Sequence, residues 1–132
     1  EGIELGVHSL RFRVYDTPQD IRDGVLYVME DAGGVYAVFA FIIGDDPTYG
    51  RIEGAWRDES PYGTIHRLGS DGTHRGVFTE TAVWAARQCP HLRADTHAAN
   101  LTMRHCMEQA GFVYCGVIHV ADGTPRVAYE KV

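Results

Sequence analysis

The stretch from Leu92 to Val120, LRADTHAANLTMRHCMEQAGFVYCGVIHV, constrains the fold more than any other part of the chain. Leu92 to Asp95 predicts a short strand. Asn100 to Ala110 predicts a helix, because Leu101, Met103, Cys106, Met107 and Ala110 recur at three-to-four spacing and form one broad apolar face. Asn100 suits the N-cap and Gly111 suits a left-handed stop. Phe112 to Val120 then turns strand-like, rich in aromatic and β-branched residues. A strand, a helix and a strand in so short a span predict a sheet covered by a helix.

Asn100, Met103 and Gly111-Phe112 together resemble the last cofactor-binding segment of the GNAT superfamily of N-acetyltransferases. The fuller set is similar to one bacterial subgroup of that superfamily. It comprises Arg93 to His97, Tyr114-Cys115-Gly116, Asp122-Gly123 and Arg126 to Tyr129, with Pro61-Tyr62-Gly63 and His66-Arg67 upstream. The resemblance implies an α+β fold: a mixed, mostly antiparallel sheet with helices on both faces and splayed central strands. It also implies acetyl-CoA as co-substrate.

The length of 132 residues fits one domain with a single core, residues 1–132. A usual GNAT domain opens with a strand and two helices, and too little chain precedes the second strand here for both helices at normal length. Either the N-terminal elements are short, or the sequence begins inside the domain. No apolar run approaches the ~20 residues of a membrane span. Glu1 and Glu4 stand where a basic leader would begin, so the expectation is a cytoplasmic protein with no membrane partner. Cys89, Cys106 and Cys115 are odd in number and widely spaced, which predicts reduced thiols, and the histidines lack metal-ligand rhythm, which predicts no metal.

A formal charge of −6 argues against nucleic-acid binding. Residues 1–60 hold twelve acids and five bases, a net −7, and residues 61–132 hold six and seven, a net +1. The half resembling a CoA site does not repel phosphates, while the acidic half would favour a cationic amine or would simply be a solvated face.

Alternation from Ile3 to Val14 predicts two short strand runs, and Thr17-Pro18 predicts a brief helix ended by Gly24. Val25 to Glu30 and Val35 to Ile43 predict an antiparallel hairpin, the second strand being apolar on both faces and hence central. Residues 44 to 63 form a loop whose Glu53, Trp56 and Tyr62 could line a substrate cleft or could pin the loop to the core. Thr64 to Ser70 predicts a strand with Thr64, His66 and Leu68 on one face. Val77 to Gln88 predicts a helix ended by Pro90, and Arg126 to Lys131 a final strand. That strand is expected at an exposed edge, where a homodimer could pair.

Strand, glycine loop and helix N-terminus together make an anion site, because free N–H groups and the helix dipole both favour negative charge. His74, Arg75, Gly76, Val77 and Phe78 occupy that turn. In the family this turn grips the CoA pyrophosphate. Gly76 matches the family pattern, whereas Thr73 stands where Arg or Gln is usual and Phe78 where a small residue is usual. The resemblance further implies that Leu68 and Ser70 contact the pantetheine arm through strand backbone, with Asn100, Met103 and Met107 along it. Many members carry a proton-donating Tyr seven residues after this Asn; here the position is Met107. Water, Tyr114, Cys115 or His105 remain as alternative acids. His66 is the first candidate for the base, with an ordinary pKa of ~6.5, although an inert core histidine would read the same. Asp95 and His97 follow the fifth strand and could bind or deprotonate the amine, or could serve as turn and helix-entry residues. The implied reaction is acetyl transfer from acetyl-CoA to a primary amine, of a small molecule or a peptide. The alternative is a non-catalytic acyl-CoA-binding or interaction module on the same fold.

Overall fold

The computed structural model describes residues 11–14, as backbone, and 26–132. The strand run from Ile3 and the helix from Thr17 lie outside the described residues. Eight strands form one sheet in the order β1-β2-β3-β5-β6-β8-β7-β4. They are β1 (Arg11–Val14), β2 (Leu26–Asp31), β3 (Gly34–Ile43), β4 (Glu53–Gly54), β5 (Gly63–Ser70), β6 (Leu92–Thr96), β7 (Val113–His119) and β8 (Pro125–Lys131). The helices are α1 (Val77–Gln88) and α2 (Leu101–Gln109). All strand pairs are antiparallel except β5–β6.

Both helices pack on one face. Val77, Phe78, Ala82, Trp84 and Ala85 of α1 and Met107 of α2 share a core with Leu92, Ala94, Val127 and Tyr129 of the sheet. The α1 stripe seals because its apolar positions recur every three to four residues; Glu80 and Arg87 sit at the helix ends whose dipole each complements. On α2 the Met103 amide donates to Asn100 Oδ1 at 3.0 Å, and Gly111 takes φ 94°. Leu101, expected on the buried face, is 70% exposed in the first turn, so the inner stripe of α2 is Met103, Cys106, Met107 and Ala110. The opposite face of the sheet is covered by residues 44–62, with Tyr49, Tyr62, Ile118 and Ala128 in a second cluster.

Two further expectations are corrected. The final strand is not an edge: β8 pairs with β6 on one side and β7 on the other, so no dimer can add there. The alternation expected along β5 also fails. Ala40 pairs with His66 and Val38 with Gly69, so β5 carries one extra residue, and Arg67 takes φ 52°. This bulge reverses the parity of the strand. Ile65 and Leu68 therefore both meet the helix-side core, while Thr64 and His66 face the other way.

Candidate active site

The parallel pair β5–β6 is in register only at Gly63↔Leu92 and Thr64↔Arg93, and the Gly63 amide donates to His91 O at 2.9 Å. Beyond those pairs the strands part, the bulge at Arg67 turning one lip away. Two residues past the last pair, His66 and Asp95 stand on opposite lips and on the same face. The gap holds a cavity of about 190 Å³. Leu68, Phe78, Met103 and Met107 line it from the helix side, and Asp95 and Arg126 from the other, so it reaches through the sheet.

On the helix side the gap opens into a groove of about 360 Å³. Leu68, Ser70, Arg75, Gly76, Phe78 and Met103 are among its walls. Gly76 is the N-cap of α1 in left-handed geometry (φ 69°), and no side chain caps the helix. The first helical bond runs from the Glu80 amide to Gly76 O, so the preceding amides of α1 are not used by its ladder. Phe78 tilts into the core, edge-on to Phe112 at 5.3 Å, and leaves the turn open. His74 is committed elsewhere: Nε2 meets Asp31 Oδ2 at 2.6 Å and the ring stacks on Tyr36 at 3.6 Å. It fixes the loop to the β2–β3 hairpin, while the exposed Arg75 supplies the charge.

On the other face lies a cleft of about 560 Å³ lined by Asp45, Asp46, Tyr49, Trp56, Glu59 and Arg93, among others. His66 Nε2 lies 3.1 Å from Asp46 Oδ2. That His66 contact, aided by Thr48 against the opposing effect of burial, lowers the Asp46 pKa to about 2. The Tyr49 hydroxyl donates to Asp95 Oδ2 at 2.6 Å, and Arg126 Nε donates to Asp95 Oδ1 at 2.6 Å. Both Asp95 oxygens are thus taken, and Asp95 is a positioning group rather than an open base. Burial, then the Asp95 charge, holds the Tyr49 pKa well above its usual value, so the hydroxyl stays protonated.

The remaining expected residues divide. Tyr62 and Trp56 enclose the Arg93 guanidinium, at 4.1 and 4.0 Å from its carbon. Glu53 is exposed on β4, 3.6 Å from His119 and outside the cleft lining. His97 is exposed in the β6–α2 loop, where Nδ1 accepts from the Ala99 amide. None of the alternative acids Tyr114, Cys115 and His105 lines the gap. Burial, then Glu130, pushes the Cys115 thiol up to about 11.

Sequence reasoning missed what anchors this face. Glu130 is fully buried and accepts from the Arg57 amide (2.7 Å), His91 Nε2 (2.6 Å) and Arg93 Nε (3.2 Å). Burial opposes its ionisation, yet the His91, Arg57 and Arg93 contacts outweigh burial and lower its pKa. Arg93 NH2 also holds Asp58 O at 2.6 Å. The clue was the opposite charges of Arg93 and Glu130, which are register partners on β6 and β8. Among the described residues no group of three or more His, Cys, Asp or Glu could hold a metal, and no helix is long and apolar enough to cross a membrane.

An acetyltransferase of the GNAT family from Streptococcus agalactiae matches this fold with a TM-score of 0.76 and 32% identity, over 86% of this chain and 68% of that one. An aminoglycoside acetyltransferase solved with coenzyme A and kanamycin matches at 0.59 and 20% identity, over 87% and 71%. The same kind of enzyme with acetyl-CoA and paromomycin matches at 0.59 and 20%, over 87% and 69%. No family model matches the sequence, and no curated protein does. The parted strands, the open helix N-terminus and the first of these matches agree, and the chain belongs to the GNAT family of acetyltransferases.

Proposed function

We propose that the chain is one acetyltransferase domain that moves an acetyl group from acetyl-CoA to a primary amine by direct attack in a ternary complex. The observation that carries this is the gap between β5 and β6, which opens into a groove at an uncapped helix N-terminus and meets an acidic cleft on the opposite face across the Tyr49–Asp95 hydrogen bond. The pyrophosphate would rest on the first amides of α1 beside Arg75, and the pantetheine arm would run past Leu68, Met103 and Asn100 into the gap. Asp45, Asp46 and Glu59 would draw the amine as a cation, since the one base in the cleft, Arg93, is balanced by Glu130.

His66 would take the ammonium proton, Asp46 holding its ring from Nε2. The nitrogen lone pair then attacks the thioester carbon, and the tetrahedral adduct loses its second nitrogen proton to solvent and expels the thiolate. The protein contributes alignment of the two reactants and removal of one proton. Met107, buried at the position where relatives place a proton donor, favours the second reading of a domain that binds acyl-CoA without turning it over.

Thermal unfolding with acetyl-CoA, followed by thiol release over an amine panel, separates the two. A ligand at 100 times its Kd adds about 2.7 kcal/mol and raises the midpoint by several degrees. Midpoint rise with thiol release supports the enzyme, and rise without release supports the binding module. No rise at millimolar acetyl-CoA removes both.

A further inference from the structure

With Met107 at the gap, none of the alternative side-chain acids Tyr114, Cys115 and His105 is among the residues that line it. The gap does contain arginines. Arg126 on β8 gives its Nε to Asp95 Oδ1, and among the described residues its two terminal nitrogens make no further hydrogen bond. Asp95 is itself fixed by the Tyr49 hydroxyl, and its side chain is 8% exposed. The guanidinium is thus set in a fixed fork, lining the same cavity of about 190 Å³ as Asn100, Met103 and Met107. Arg67 also lines the cavity, but it is exposed and stands on the bulge.

We propose that Arg126 is a catalytic residue that stabilises the departing coenzyme A thiolate as a permanent cation, replacing proton donation by ion pairing. The inference rests on the acetyl-transfer reading. The atoms balance without an acid: the amine nitrogen forms the C–N bond, and the C–S electron pair moves onto sulfur. The ammonium proton goes to His66, the second nitrogen proton leaves the tetrahedral adduct to solvent, and the thiolate takes its proton from solvent after release. A thiol of pKa ~8.5 is a competent leaving group once its charge is met. A guanidinium stays charged throughout and presents paired donors to an anion. The Tyr49–Asp95–Arg126 chain holds it in place before reaction, which is where a preorganised charge acts most strongly.

The test uses the whole chain and two readouts. In the first, the ultraviolet absorbance of thiolate is titrated for bound coenzyme A, with the desulfo-coenzyme A complex as blank. The bound thiol should ionise at lower pH than free coenzyme A. That shift should vanish in Arg126→Gln and persist in Arg126→Lys. In the second, Arg126→Gln should lower kcat about 10- to 100-fold with KM for acetyl-CoA little changed, and Arg126→Lys should recover part of the loss. Thermal unfolding of both variants checks that the fold survives. An unshifted thiol pKa in the wild type, or one equally shifted in Arg126→Gln, overturns the role of Arg126. Coenzyme A binding without any turnover by the wild type overturns the acetyl-transfer reading, and the catalytic role with it.

Discussion

Replacing Glu130 by Gln keeps the shape of the side chain and removes its charge at the point where β6, β8 and the loop before β5 converge. Glu130 is fully buried and accepts from four donors, the Arg57 amide, His91, Arg93 and the Cys115 thiol, of which Arg93 is 3% exposed. The amide can satisfy the Arg57 N–H with its oxygen, but its NH2 group then confronts the Arg93 and His91 nitrogens. Arg93 keeps only Glu59 as a carboxylate within 4 Å, at 3.9 Å and on an exposed side chain. Breaking a buried pair from one side costs about 3–5 kcal/mol, a large share of the roughly 5–15 kcal/mol that a domain has. At this chain length that is roughly 3–5 °C per kcal/mol, so the midpoint should fall by about 10–20 °C. Thermal unfolding measures that drop, and urea unfolding followed by tryptophan fluorescence measures the free-energy loss, with the slope unchanged. Adding Arg93→Met removes the stranded charge, so the double variant should lose less than the sum of the singles by at least about 1 kcal/mol. A Glu130→Gln loss below about 1 kcal/mol, or plain additivity, would refute the claim that this cluster anchors the acceptor face.

Gly76→Asp has room for its side chain but puts a carboxylate at the anion site, so acetyl-CoA should no longer raise the unfolding midpoint. Asn100→Ala should reduce that rise and cost about 1 kcal/mol of helix stability through the lost cap. Asp46 has a native pKa of about 2 against an unfolded value of ~3.9. The native state therefore binds fewer protons, and the stability that Asp46 contributes is present above pH ~4 and lost as pH falls toward 2. Wild type should lose up to about 2 kcal/mol more than Asp46→Asn across that interval, and parallel curves would contradict the His66–Asp46 contact. A Cβ on Gly54 would lie 2.2 Å from Cys115 O, and one on Gly116 2.2 Å from Glu53 O, both at positive φ. Either alanine should cost at least about 2 kcal/mol in a denaturation curve, whereas Gly69→Ala, with open space around it, should be near neutral.

How far the sequence was legible depended on which signals are local. The bounds of α1 follow from an apolar stripe stopped by Pro90, and the cap of α2 from one asparagine, so both could be read directly. The bulge at Arg67 could not, because a non-glycine residue at positive φ leaves no compositional trace, and it reversed the facing of Leu68. Arg93, Asp95 and Glu130 look like the wet side of half-exposed strands. Only the register, with Arg93 opposite Glu130, shows them meeting each other beneath Trp56 and Tyr62. His66 was found as a candidate base, but its partner Asp46 lies on a loop whose course local periodicity does not describe.

The placement of β8 has a consequence for how the molecule is made. Strand β8 lies between β6 and β7, so β7 and β4 join the rest of the described sheet only through it. Before it arrives, β6 is held to β5 by just two register pairs. A chain emerging from the ribosome can form its β2–β3 hairpin and α1 early, but one lip of the gap stays loose until residues 125–131 emerge. Glu130 rides on that same strand, so the acceptor face is clamped in the same step. Long-range closure of this kind is slow, and it makes the gap and that face complete together, only once residues 125–131 are in place.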